Sequence, residues 1–372
     1  MVIRFKLRAL NNSNLDQAGE VVDSYEKFME KLGTLPFNSP RTKSKVEIEI
    51  LKRLMTPKEA EIACNLSSKP EPVTVIAERV GMDAEDLREA LEAMVENRAI
   101  FKVFTEEPLY ALYGFLPGIW EWQLGRLSPE DVNRWERYWK EGLAEDLFTN
   151  KTPVLRVLPV TKSISTDMNV FSYEEAEKLI EDAKTTGLVD CMCRASKKII
   201  GEGCDAPAKD MCILLDGWSD FFANTKIGRY VSKEEAKETL ARDREAGLVH
   251  TAFNVQKGPV FICNCCGCCC ASLRAINELK IPTAIAKSNF IAEISSNECT
   301  GCGVCVDRCH VHALELVDDV AHLIEERCIG CGVCGGGCEF EAISLKRKDE
   351  IVPPPADVRE FMELHKAGRS KE

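Results

Sequence analysis

The chain has 372 residues, 45% hydrophobic and 29% charged, a balance that supports packed cores and excludes a disordered or fibrous polymer. Its length suits two or three domains of ordinary size. A net charge of -12 makes nucleic acid a poor default partner, and nineteen cysteines point to metal sites wherever thiols stay reduced.

The opening MVIRFKLRALNNSN lacks the apolar core of a secretory signal, and no run approaches the roughly 18 apolar residues of a membrane span. A cytoplasmic location with no membrane span is expected. Residues 1–44 form an N-terminal segment. From 45 to 112 the pattern predicts helix, helix, turn, helix and short strands, with Thr56-Pro57 opening one helix and Gly81-Met82-Asp83 separating the next two. This stretch resembles a winged helix. In a DNA reader of that kind the last helix enters the major groove, yet Asp83 to Arg98 carries six acids (Asp83, Glu85, Asp86, Glu89, Glu92 and Glu96) against Arg88 and Arg98. Phosphates would repel it, so docking on protein or packing against its own chain is expected in place of DNA. Cys64, beside Ile62, Ala63 and Leu66, is expected to be a small buried hydrophobe.

Residues 113–150 form a tryptophan-rich helical connector with Trp120, Trp122, Trp135 and Trp139, and Ser128-Pro129 with Asp131 opens its helix. The rings either bridge two of the chain's own domains or meet a partner, and bridging is the simpler expectation. Residues 151–290 contain a duplication: Ser172 to Asp190 and Ser232 to His250 are offset by sixty residues and match at seven of nineteen positions. Each is expected to be a capped helix stopping at glycine, Gly187 or Gly247, with Leu-Val starting an extended segment.

Eighteen of the nineteen cysteines lie from Cys191 onward. Cys191 and Cys193 follow an expected strand start, where a period of two puts both thiols on one face. Cys204 and Cys212 come from a glycine- and proline-flanked loop that could fold back to complete four ligands, and a third iron-sulfur cluster is expected there. Six more cysteines, Cys263, Cys265, Cys266, Cys268, Cys269 and Cys270, crowd the run CNCCGCCC ahead of an expected helix, Ala271 to Leu279. Six cannot all serve one cube, so some ligate a fourth centre, join the earlier cysteines or stay free; the helix dipole favours thiolate at this place. In the duplication Cys204 falls opposite Asn264, so the two cysteine groups are expected to approach each other. His250 could ligate metal or hold a proton, and a structural role is the simpler expectation.

Cys299, Cys302, Cys305 and Cys309 make C-x2-C-x2-C-x3-C, and Cys328, Cys331, Cys334 and Cys338 repeat it twenty-nine residues later. Three cysteines so spaced wrap three corners of an iron-sulfur cube and the fourth crosses to the other cluster, giving Cys299, Cys302, Cys305 and Cys338 to one and Cys328, Cys331, Cys334 and Cys309 to the other. Closed zinc sites pair two short hooks instead. The stretch from 294 to 346 resembles the two-cluster bacterial ferredoxins, with His310 and Glu339 in place of the proline that follows the fourth cysteine in that family. His310 could donate a hydrogen bond to a cluster, though a solvated side chain is the simpler expectation. Residues 187 to 345 together resemble dicluster ferredoxin-like proteins of anaerobes. Cys265-Cys266-Gly267 matches the CCG motif of heterodisulfide reductase-like subunits only in the tripeptide, without its spacings.

The expected architecture is therefore α+β: a winged-helix-like domain (45–112), the connector, a duplicated cysteine-rich domain (151–290), a dicluster ferredoxin domain (291–346) and a surface tail (347–372) with one short helix. No nucleotide, flavin or hydrolase motif appears. The resemblance implies an iron-sulfur electron carrier with two 4Fe-4S clusters, a third and possible fourth centre in the middle domain, and an oxidoreductase as redox partner. Eight acids against Arg308 and Arg327 between Cys299 and Leu345 would steer a basic partner. The rival readings are a catalytic redox subunit using Cys263–Cys270, and a redox-sensing regulator in which clusters gate the winged helix.

Overall fold

The computed structural model describes residues 15–35, 37, 39–164, 168 and 170–368; the outermost parts of the expected N-terminal segment and tail lie outside the described residues. Helices and strands are mixed along the chain, as the α+β reading requires. After a first helix, Leu15–Gly33, come Val46–Leu54, Pro57–Cys64, Val73–Val80 and Ala84–Glu96, with strands β1 (Glu71–Pro72), β2 (Phe101–Val103) and β3 (Leu109–Ala111). The strands form an antiparallel sheet in the order β1-β3-β2. Thr56 starts its helix as expected: its backbone N–H donates to Glu59 at 2.6 Å and its hydroxyl accepts the Glu59 N–H at 3.3 Å. Cys64 ends that helix half-buried, and burial pushes its thiol up.

All four connector tryptophans are buried. Trp122 lies 6.0 Å from Phe101 and 4.9 Å from Phe221, and those two rings stack at 4.7 Å, so one aromatic cluster joins β2, the tryptophan-rich stretch and the helix Asp216–Asn224. Nearby the Arg274 guanidinium sits 4.3 Å over the Trp139 ring, and Glu136 binds both Arg274 and Lys197 at 2.9 Å. The rings thus bridge parts of the same chain.

The middle region is built on a six-stranded sheet of β4 (Leu155–Val157), β5 (Thr186–Val189), β6 (Cys212–Leu215), β7 (Arg229–Val231), β8 (Val249–Phe253) and β9 (Phe261–Cys265), in the order β4-β8-β9-β6-β5-β7. The pair β5-β6 belongs to the first half of the duplication and β8-β9 to the second, and the halves meet where β6 and β9 run antiparallel with Ile213 opposite Ile262. The two repeats are less alike than expected. The second is a helix, Lys233–Glu245, capped by Ser232 and ended at Gly247 with φ 76°. In the first, Ser172–Glu174 is a tight turn, the helix Ala176–Asp182 stops at an extended Ala183, and Gly187 lies inside β5. There the glycine serves packing: a Cβ would meet the Arg229 carbonyl oxygen and the Ser219 hydroxyl at 2.9 Å.

Beyond the sheet, β10 (Phe290–Ile294) pairs antiparallel with β13 (Ile343–Arg347), and β11 (Leu314–Val317) with β12 (Val320–Leu323). The expected tail helix forms at Val358–Ala367 but is not a surface appendage: Phe361 is fully buried, 4.6 Å from Phe253 and 5.9 Å from Phe37, and Asn150 donates to the His365 carbonyl at 2.9 Å. Apolar side chains spaced along one face of that helix meet an apolar patch of the sheet, which outweighs the polar composition that suggested exposure. Among the described residues no helix is long and apolar enough to cross a membrane.

Candidate metal centres

The eight C-terminal cysteines fall into two groups. Cys299, Cys302, Cys305 and Cys338 line one small cavity of about 20 Å³, walled by Leu316, Ala321 and Ile343. Cys309, Cys328, Cys331 and Cys334 line another of the same size, walled by Val311, Ile329 and Leu345. Each group joins three cysteines of one run to the fourth of the other. Backbone N–H groups point at the sulfurs, Ala313 at Cys309 (3.1 Å) and Ala321 at Cys299 (3.4 Å), a donor set that suits negatively charged sulfur. The chain runs close here: a Cβ on Gly330, whose φ is 70°, would collide with the Phe290 carbonyl oxygen. Burial pushes the Cys331 thiol up to about 12 and Cys334 well up, so a bound cation is what would hold them as thiolates.

The ten middle cysteines sort differently from the expectation. Cys204 does not complete a set with Cys191, Cys193 and Cys212. It joins Cys266, Cys268 and Cys269, and these four sulfurs lie within 4.8 Å of one another. Cys204 Sγ stands 3.8 Å from Cys266 and 3.7 Å from Cys269, and Cys268 is 3.8 Å from Cys269. A tetrahedron of metal-sulfur bonds of about 2.3 Å has edges of about 3.8 Å, so the group fits one tetrahedral ion. Hydrogen bonding from Cys269, against the cost of burial and with help from Arg194, holds the Cys266 thiol down at about 5.

The other six, Cys191, Cys193, Cys212, Cys263, Cys265 and Cys270, line a third cavity, which Cys266 and Cys269 also reach. Cys191 and Cys193 do not sit on a strand: β5 ends at Val189, Cys191 caps the helix Met192–Ile199, and Cys193 lies in its first turn. They still meet, because both thiols turn toward β6 and β9. Cys191 accepts hydrogen bonds from Cys193 and Cys212, and Cys265 from Cys263 and Cys270, which holds those two well below the usual thiol range and pushes their donors up.

Arg194, to which the sequence reading gave no role, stands between the two middle groups. It is fully buried, donates to the carbonyls of Asn264 (2.7 Å) and Pro207 (3.0 Å), and stays firmly protonated because the thiolates of Cys191, Cys266 and Cys265 outweigh its burial. The sequence signal was its place directly after Cys193. Asn264 bonds His250 Nδ1 (2.6 Å) and donates to Asp243 (2.6 Å) and Met211 (2.7 Å), so His250 is a buried structural group, kept neutral by burial with a pKa lowered to about 4.

His310 is not solvated. Its Nδ1 accepts the Gly267 N–H at 3.2 Å and its Nε2 donates to the Gly247 carbonyl at 2.8 Å, which fixes the neutral Nε2–H tautomer. It therefore ties the loop after Cys309 to the loop between Cys266 and Cys268. Comparison with known protein families finds no family model that matches the chain, and comparison with curated proteins finds no match.

Proposed function

We propose that the chain is an iron-sulfur electron-transfer protein, carrying two 4Fe-4S clusters in its C-terminal part and at least one further metal centre in the cysteine-rich middle, and exchanging single electrons with an oxidoreductase partner. The observation that carries this reading is the crossed grouping of the two C-terminal cysteine runs, three from one with the fourth of the other. Cys299, Cys302, Cys305 and Cys338 would hold one cluster, and Cys309, Cys328, Cys331 and Cys334 the other. When bound, such clusters supply reversible one-electron chemistry. The chain's own part is to keep water out with Val311, Ile329, Ile343 and Leu345, to aim N–H groups at the sulfurs, and to hold the neighbouring centre close through His310. The order of helices and strands from 45 to 112 supports the winged-helix reading, and the acids on its last helix favour a protein surface over DNA. Reduced thiols in this number suit the cytoplasm.

Anaerobic purification with iron, sulfide and zinc counting tests the reading. About eight irons and eight sulfides should belong to the C-terminal part. Cys302→Ser and Cys331→Ser should each alter one of two paramagnetic signals of the reduced protein and spare the other. A colourless protein, or one loaded with zinc at both runs, would overturn it.

A further inference from the structure

The six-thiol pocket plays no part in the electron path just described. Three of its thiols, Cys191, Cys193 and Cys212, come from the first half of the duplicated sheet and three, Cys263, Cys265 and Cys270, from the second. All six line one cavity, which Cys266 and Cys269 of the tetrahedral group also reach. The contact that joins the halves is Cys212 to Cys263, at the antiparallel β6-β9 seam. Among the described residues, the set of three or more metal-ligating side chains that all lie within 4.8 Å of one another is the tetrahedral group, so the six are spread more widely than one ion would need.

A cubane takes four thiolates, one to each iron. Three thiols per half are too few for a cubane in each half, and six are two too many for one between them. A larger centre uses all six. There is room beside them: a cavity of about 120 Å³ opens along the thiols, walled by Leu116, Pro117, Trp218, Phe222 and Phe261, with Glu121 among them. That is roughly ten times what one water needs.

We propose that this pocket holds a single iron-sulfur centre larger than a cubane, bound through three thiolates from each half of the duplicated sheet. The proposal rests on the reading of the chain as an iron-sulfur protein. Native mass spectrometry of the full chain, purified and reconstituted without oxygen, tests it. The expected mass contains the two C-terminal clusters and a separate block of about six or more irons with sulfide. Cys212→Ala combined with Cys263→Ala should remove that whole block while the paramagnetic signals of the C-terminal clusters persist, which also reports that the variant is folded. A wild-type block of about four irons, or no block while the C-terminal clusters load, overturns the proposal and leaves the electron-transfer reading standing. Absence of iron throughout overturns both.

Discussion

Glu121 lines the cavity beside the six thiols, where its carboxylate accepts the Gly118 N–H at 2.7 Å and burial raises its pKa to about 7. The protonated form is thus favoured in the fold. Its contribution is fully present below the ordinary carboxyl range and is lost as pH rises through about 7, a difference of about 3 kcal/mol. Glu121→Gln should therefore melt higher than the parent at pH 8 and alongside it at pH 5, and parallel pH profiles for the two would refute the assignment. Cys204 makes the complementary case for a single side chain. It is the only distant member of its tetrahedron, the other three lying within Cys266–Cys269. Cys204→Ala should release one metal ion per chain, measured by elemental analysis, with the C-terminal irons retained; unchanged metal content would show that the four sulfurs do not share an ion.

Between elements, the contact that matters most is the seam at Gly267. A Cβ there would strike the His310 carbonyl oxygen, and the loop holding Cys266 and Cys268 would have to move away from the loop after Cys309. Gly267→Ala should cost about 1–3 kcal/mol in thermal or denaturant unfolding and lower the rate of electron exchange between the middle and C-terminal centres. A variant of parental stability and rate would dismiss the seam as a link. This contact could not be read beforehand. The residue after Cys309 stands where a ferredoxin carries proline, which marks His310 as a departure, but its partners lie 43 and 63 residues away in sequence. The crossed grouping of Cys309 and Cys338, in contrast, was legible, because spacings of two and three residues leave the chain few ways to turn. The ten middle cysteines resisted the same reasoning: their sorting depends on β6 meeting β9 and on a helix, Met192–Ile199, taking over where alternation suggested strand. Local pattern carries no information on which of two neighbouring groups a loop residue such as Cys204 will join.

For the molecule as a whole, net charge weighs against nucleic acid. A net charge of -12, with six acids between Asp83 and Arg98, should prevent retention on duplex DNA even at low salt, where phosphate contacts are strongest. Retention that weakens as salt rises would instead revive the regulator reading. Most of the helices and the mixed α+β character were legible from caps and periodicity, and so was the bridging role of the tryptophans. The docking of the helix Val358–Ala367 was not, since Phe361 finds Phe37 and Phe253 only once distant segments have come together. The closeness of the tetrahedral sulfurs also governs how the protein must be handled. Cys204 and Cys269 stand 3.7 Å apart, and a disulfide needs about 2.0 Å. In air, a chain stripped of metal is thus poised to give up two protons and two electrons to dioxygen and seal that site with a covalent bridge. Reloading such a preparation would demand a reductant before it demanded an ion.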